Sequence, residues 1–391
     1  MDFIPENGYA DVNDARYSQP VCTVIQIALV DLLEFWGITP AIVVGHSSGE
    51  IAVAYCSKSI SKEMAWKISY YRGLAVSETF RKGSGKASMM SVQLSPEKVQ
   101  SYLSRCGRNS SSYNDLSIAC FNSPNNVTVS GSREYLHVLA TSLEKDGILF
   151  RFLKVDIGYH SSYMSESAEI YRQYLQLGLT DRTYEKGPLF ISTVTEAQVE
   201  PHDLQSAGYW VSNLLNPVKF SNVMRLVLNP RRQKLYSTNE IDANYIVELG
   251  PHSTLRSPLK DILNGFGKDV LKVYSCALVR DQPAMQTILK CVGELSCTGY
   301  PVNLATVNME LGQARKPCMV TTLPPYPFNH SQSYWHEDRI SQSFRSRIFG
   351  RHELLGTPVP DWNEIEPRWN NRFVMKDMDF LSHHIVSKDL S

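Results

Sequence analysis

Apolar residues recur at helical spacing over residues 21–35 and stop at Trp36-Gly37, which predicts a helix with a glycine just past its end. A short apolar run at 41–44 follows and predicts a strand. Residues 61–79 carry a second helical pattern, with Ser61 as its N-cap and Glu63 in its first turn. Helix and strand in alternation predict an α/β unit built on a parallel sheet. From Ala87 the pattern shortens: candidate strands at 88–92, 116–121, 127–130 and 150–155 alternate with candidate helices at 95–104 and 133–145. The longer α/β rhythm resumes with a helix after Ser161, then further elements at 190–193, 218–228, 245–249, 255–264 and 270–275.

Four strands and two helices in that order, within about 70 residues, resemble a ferredoxin-like insert, so the pattern predicts one α/β core interrupted by a smaller lobe. Residues 323–330 then place three prolines and two aromatics in eight positions, which no core helix or central strand tolerates. That stretch is expected to run extended along a surface, held by its rings. Residues 341–351 are polar and basic, as in a solvated connector, and 352–391 are too few for an independent domain of ordinary size.

Charge narrows the function classes. Lys plus Arg and Asp plus Glu are 39 each, so no global field draws nucleic acid or an anionic membrane. The eight cysteines lie scattered, without Cys-x-x-Cys pairs or zinc-finger spacing, which argues against a disulfide framework and a structural metal. No uninterrupted apolar run approaches about 18 residues, and residues 1–7 lack the basic and apolar regions of a signal peptide. The expectation is a cytoplasmic protein without nucleic-acid or membrane partners.

The candidate chemistry begins at residues 42–50, Ile-Val-Val-Gly-His-Ser-Ser-Gly-Glu. A strand running into Gly-x-Ser-x-Gly and then a helix lifts Ser47 onto a sharp turn, with the Ser48 amide free to face an oxyanion. The positive end of the following helix reinforces that spot. Among ten histidines, His160 is the leading base, because Gly158 and a candidate strand end where a helix begins. His46 neighbours Ser47 on the turn, which points the two side chains apart. His252, in Gly-Pro-His-Ser253, is the main competitor, whereas His137 and His202 sit in polar settings. Arg72 lies among apolar and aromatic neighbours, where a guanidinium needs an anion to offset its burial. Its planar fork can grip a carboxylate through two hydrogen bonds.

Taken together, Gly-His-Ser-Ser-Gly-Glu50, Tyr-Arg-Gly73, Phe-Asn-Ser-Pro124 with Val-Thr-Val-Ser-Gly131, Gly-Tyr-His-Ser161, Tyr-Trp-Val-Ser-Asn-Leu-Leu-Asn-Pro-Val-Lys-Phe220 and Val-Glu-Leu-Gly-Pro-His252 resemble, in order and spacing, the malonyl-CoA:acyl-carrier-protein acyltransferase domain of type I polyketide synthases. Leu-Pro-Pro-Tyr-Pro-Phe328 with Tyr-Trp335 looks like the linker after that domain. His352-Glu-Leu-Leu-Gly356, Trp369-Asn370 and Phe380-Leu-Ser-His-His-Ile-Val386 resemble the start of a dehydratase domain, which points to a reducing synthase of the fungal kind.

The resemblance implies an α/β-hydrolase-like core with a parallel sheet (residues 1–86 and 156–300), a ferredoxin-like subdomain (87–155), a linker (301–345) and a truncated dehydratase piece (346–391). It implies that Ser47 is the nucleophile and His160 its base, in a dyad oriented by a backbone carbonyl. Arg72 would pair with the malonyl carboxylate and line the floor of the cleft that Ser47 and His160 share. Ser48 would supply one oxyanion amide, while His46, Asn122 and His252 would support the pocket wall. Tyr159 would crowd an α-methyl branch and so favour malonyl-CoA, with the phosphopantetheine thiol of an acyl carrier protein as acceptor. Ketosynthase and dehydratase domains would be partners, and no bound cofactor or metal is implied. His384 matches the dehydratase histidine.

Two departures stand out. The family's Gly-Gln-Gly strand, which brings the second oxyanion donor, lies upstream of this chain's start, and one such donor is worth about 2.7–4 kcal/mol. The dehydratase aspartate lies on a segment not in the chain. A serine hydrolase or thioesterase and a catalytically impaired synthase fragment therefore stand as the other readings.

Overall fold

Asp14 opens the first helix of the structure: its carboxylate accepts the Arg16 amide at 2.9 Å, capping α1 (Ala15–Phe35). The helix therefore begins six residues earlier than the apolar spacing suggests and runs through Pro20. It ends at Trp36, and Gly37 turns the chain with φ +78°. The computed structural model describes residues 14–79, 87–106, 116–179, 185, 187–228, 245–266, 273–309, 320–374 and 383. Two compact units divide the chain, Met1–Pro317 and Cys318–Ser391, and the division falls inside the expected linker.

In the first unit, β1 (Ile42–Val44) leads into α2 (Gly49–Cys56) and α3 (Lys62–Thr79). Ile27 and Val30 of α1 join Met64, Ile68 and Val76 of α3 in the largest apolar core. Gly73 permits the close approach of these helices, since a Cβ there would lie 2.3 Å from the Ala15 carbonyl oxygen. By length and composition α1 could also cross a membrane, yet its Ile27, Leu29, Val30 and Leu33 are buried inside this unit.

The lobe comprises β2 (Ala87–Val92), α4 (Pro96–Cys106), β3 (Leu116–Ser123), β4 (Asn126–Ser132), α5 (Arg133–Lys145) and β5 (Phe150–Phe152). Its strands lie in the order β3-β4-β2-β5 with antiparallel pairing throughout, the split βαβ arrangement of a ferredoxin-like fold. Val99 and Leu103 of α4 and Leu136, Leu139 and Leu143 of α5 bury against Met90, Val92, Val127 and Val129.

The core then continues through α6 (Ser165–Gly178), β6 (Leu189–Ile191), α7 (Pro201–Leu204), α8 (Ala207–Leu215), α9 (Phe220–Val227), β7 (Tyr245–Glu248), α10 (Arg256–Asn264), β8 (Val273–Cys276), α11 (Ala284–Cys297) and α12 (Leu304–Val307). β1 pairs in parallel with β6, Val43 facing Phe190, and β7 pairs in parallel with β8, Ile246 facing Tyr274. Among the described residues the expected parallel sheet is thus present as two two-stranded pairs.

The second unit holds α13 (Arg339–Arg345) and a short antiparallel pair, β9 (Thr357–Pro358) with β10 (Trp369–Asn370). Within this unit Tyr326, Phe328, Tyr334 and Trp335 are 68–81% exposed, and Tyr326 and Phe328 pack on each other, centroids 4.8 Å apart. His384 lies outside the described residues.

Candidate active site

The turn between β1 and α2 is forced by packing. A Cβ on Gly45 would sit 2.5 Å from the Glu50 backbone nitrogen, so only glycine lets the strand fold back onto the helix that follows. Two residues on, Ser47 adopts φ +56°, a left-handed conformation that serine enters only when its surroundings impose it. Ser48 precedes the first turn of α2, and its amide makes no hydrogen bond among the described residues.

The Oγ of Ser47 lies 2.7 Å from Nε2 of His160. On the far side of the ring, Nδ1 donates to the Asn216 carbonyl oxygen at 2.9 Å. That carbonyl is a pure acceptor, so it holds the proton on Nδ1 and leaves Nε2 free to accept from the serine hydroxyl. His160 is itself held at φ +59°, buried to 3% exposure, with its amide donating to the Leu214 carbonyl at 3.3 Å. Burial, the Arg72 cation and His46 push its pKa down to about 3, against the opposing pull of the Asn216 carbonyl. The ring is therefore neutral at physiological pH, as a base must be before it takes a proton.

Arg72 projects from α3 and is completely buried. Its Nη1 donates to Oδ1 of Asn213 at 2.9 Å, while Nε and Nη2 have no hydrogen-bond partner among the described residues. Burial lowers its pKa, opposed by the nearby Tyr171, Tyr159 and Glu50. Asn213, on α8, donates through Nδ2 to the Ser47 carbonyl at 3.1 Å and to Oε2 of Glu50 at 2.8 Å. One amide thus links guanidinium, buried carboxylate and the backbone of Ser47.

The expected placement of Arg72 needs correction: Ser47 and His160 line a cavity of about 2160 Å3, but Arg72 is not on its wall. It is completely buried, one hydrogen bond away from the amide that holds the Ser47 carbonyl.

The supporting residues sort into two groups. His46 turns away from Ser47, as expected, and its Nε2 lies 2.9 Å from Oδ1 of Asn122, with the ring 5.4 Å from that of Phe220. Asn122 also donates to Asn126 and Thr128, at 2.9 and 3.0 Å, tying the turn to the β3–β4 hairpin. Tyr159 lines the cavity and accepts a long hydrogen bond of 3.5 Å from Gln19. His252 borders the same cavity but is committed elsewhere, its Nδ1 accepting the Arg280 amide at 3.2 Å; nothing pairs it with Ser47.

Sequence reasoning passed over Glu50, Asn213 and Asn216. The available signals were an acid in the first turn of an otherwise apolar helix, Glu50-Ile-Ala-Val-Ala, and polar residues inside the apolar run Trp210 to Pro217. Buried polar groups in apolar company need partners, and Glu50 and Asn213 find theirs around the nucleophile, whereas Asn216 is exposed and contributes only its backbone carbonyl.

The chain is similar to known proteins over most of its length. The family described as Acyl transferase domain matches residues 1–302. Highly reducing polyketide synthase 2 of Gibberella zeae is 39% identical over 379 residues, covering 96% of this chain and 14% of that protein. 6-hydroxymellein synthase cdmE of Talaromyces verruculosus is 38% identical over 389 residues, 98% of this chain and 14% of that protein. The chain spans 14–16% of the length of such curated relatives. Among solved structures, the acyltransferase domain from module 8 of the salinomycin polyketide synthase aligns with TM-score 0.65 and 28% identity, over 77% of this chain and 65% of that one. A loading acyltransferase from the avermectin modular polyketide synthase aligns with TM-score 0.62 and 25% identity, over 74% and 83% respectively.

Proposed function

Because this chain belongs to the acyl transferase domain family, we propose that it moves a malonyl unit from coenzyme A to the phosphopantetheine thiol of an acyl carrier protein, through an ester on Ser47. The hydroxyl proton passes to Nε2 of His160 as Oγ attacks the thioester carbonyl, and the oxyanion forms against the Ser48 amide. Collapse breaks the carbon–sulfur bond, and the leaving thiolate takes the proton from Nε2. The carrier thiol then gives its proton to the same nitrogen, attacks the ester and releases Ser47 with its proton restored. In a polyketide synthase this step would feed a ketosynthase, with a dehydratase acting later.

The observation that carries the malonyl assignment is Arg72: a fully buried cation with Nε and Nη2 unpartnered among the described residues, hydrogen-bonded to the amide that holds the Ser47 carbonyl. A carboxylate is the ligand that offsets such a charge, and a bidentate grip requires two donors side by side. A monocarboxylic acyl group would leave them unpaired, which is the basis of selection. Tyr159 at the cavity wall would crowd an α-methyl substituent. A hydrolase of the Ser-His-acid type is less well supported, because Nδ1 of His160 meets a backbone carbonyl and not a carboxylate. The test is incubation of the purified chain with malonyl-CoA, followed by intact-mass and peptide mapping. A malonyl adduct on Ser47 that transfers to a carrier protein is expected; absence of the adduct overturns the proposal.

A further inference from the structure

Asn213 has a side-chain amide that can sit only one way round. Its two Nδ2 hydrogens point at the Ser47 carbonyl and at Oε2 of Glu50, and its Oδ1 faces Nη1 of Arg72, a group that can only donate. Reversing the amide would set oxygen against oxygen on one side and N–H against N–H on the other.

Glu50 is held just as firmly. It is 0% exposed, and its Oε1 accepts from the Thr193 amide at 2.6 Å, with the Thr193 and Ser192 hydroxyls at 2.9 and 3.1 Å. Its Oε2 accepts from Tyr209 and Asn213, both at 2.8 Å. Burial pushes its pKa up, and these donors oppose that rise. The Thr193 amide is a backbone donor that cannot be reversed, so the oxygen left for Asn213 is always Oε2.

We propose that Asn213, oriented by Glu50, is a positioning residue that aims the Arg72 guanidinium and thereby sets the discrimination between malonyl and acetyl groups. The inference deepens the acyl-transfer reading and rests on it. Without the Asn213 bond the guanidinium would be free to turn toward other acceptors. With Nη1 tied down, Nε and Nη2 are left as the free pair. The same amide holds the carbonyl of the nucleophile, so the distance between carboxylate grip and attacking oxygen is set by one rigid group. Neither Asn213 nor Glu50 needs to touch substrate.

The test compares Ser47 loading rates from malonyl-CoA and from acetyl-CoA in the full chain and in the variants Asn213→Ala and Glu50→Gln. Glu50→Gln keeps volume and shape; with Oε1 held by the Thr193 amide, its new NH2 faces Nδ2 of Asn213 and drives that amide to turn over. Both variants are expected to lose about tenfold or more in the malonyl-to-acetyl ratio of kcat/KM, the scale of one charge-assisted hydrogen bond, while acetyl loading changes less. Thermal melting identifies any variant that fails to fold, in which case the isosteric Glu50→Gln decides. Equal loss for both substrates in a folded variant overturns the positioning role and leaves the acyl-transfer reading standing. A wild-type chain that takes no malonyl group overturns that reading, and this inference with it.

Discussion

Ser47 and His160 meet at 2.7 Å although both hold their backbones in the left-handed region, at φ +56° and +59°. Two such conformations in facing non-glycine residues cost of order 1–3 kcal/mol each, and they persist because the surrounding structure over-determines them. On the serine side the determinants are the Gly45 turn and the Asn213 bond to the Ser47 carbonyl. On the histidine side they are the Leu214 and Asn216 carbonyls.

Relieving that strain is expected to stabilise the fold while abolishing loading. Ser47→Gly and Ser47→Ala both remove the hydroxyl, but only glycine enters the left-handed region freely. Ser47→Gly should therefore be more stable than Ser47→Ala by about 1 kcal/mol, read from denaturant midpoints at equal slope. Equal midpoints would mean that the turn carries no strain.

Replacing Arg72 by Ala is expected to lower malonyl loading by about a hundredfold or more, on the scale of losing two charge-assisted hydrogen bonds, while acetyl loading persists or rises. Comparable loss with both thioesters would show that Arg72 supports the fold and not the choice of substrate.

The pH dependence should also be unusual. An ordinary histidine loses base function as pH falls through about 6.5, whereas His160 takes its proton only at about 3. Loading on kcat/KM is therefore expected to stay level from about pH 8 down to about pH 5. Stability follows the same sign. Between about 3 and 6.5 the unfolded chain binds a proton at this residue and the folded chain does not, so its stabilisation is complete above 6.5 and is lost as pH falls toward 3. A His160→Gln variant should have a flatter stability profile in that window, measured by denaturant titration at several pH values.

Gly45→Ala tests the turn. The added Cβ meets backbone, the Glu50 nitrogen at 2.5 Å, which no side-chain rotation can relieve. A destabilisation of about 1–3 kcal/mol is expected, together with loss of Ser47 loading as α2 shifts away from β1. Unchanged melting temperature and rate would mean that the turn tolerates a wider path.

How much of this was legible beforehand follows from the range of the forces involved. The elbow around Ser47, the helix at 133–145 and the first three strands of the lobe were read to within two residues, because turn chemistry and apolar spacing act over a few neighbouring residues, whereas the fourth strand, expected over 150–155, ends at Phe152. The start of α1 was read late, since Pro20 looks like a helix opening while the cap lies at Asp14. Helices α8 and α11 were not singled out at all.

Local pattern also determined the candidate nucleophile, its histidine and the arginine, because unusual residues in apolar settings are visible in one dimension. The partners of those groups were decided only by tertiary structure. Asn213 lies 141 positions from Arg72 and 163 from Glu50, and the carbonyl that orients His160 belongs to Asn216, a residue whose backbone acceptor is indistinguishable in sequence from any other. Hydrogen bonding and burial depend on distance in space, so a chain can announce which groups are reactive while leaving their orientation, charge environment and depth to the way its helices pack.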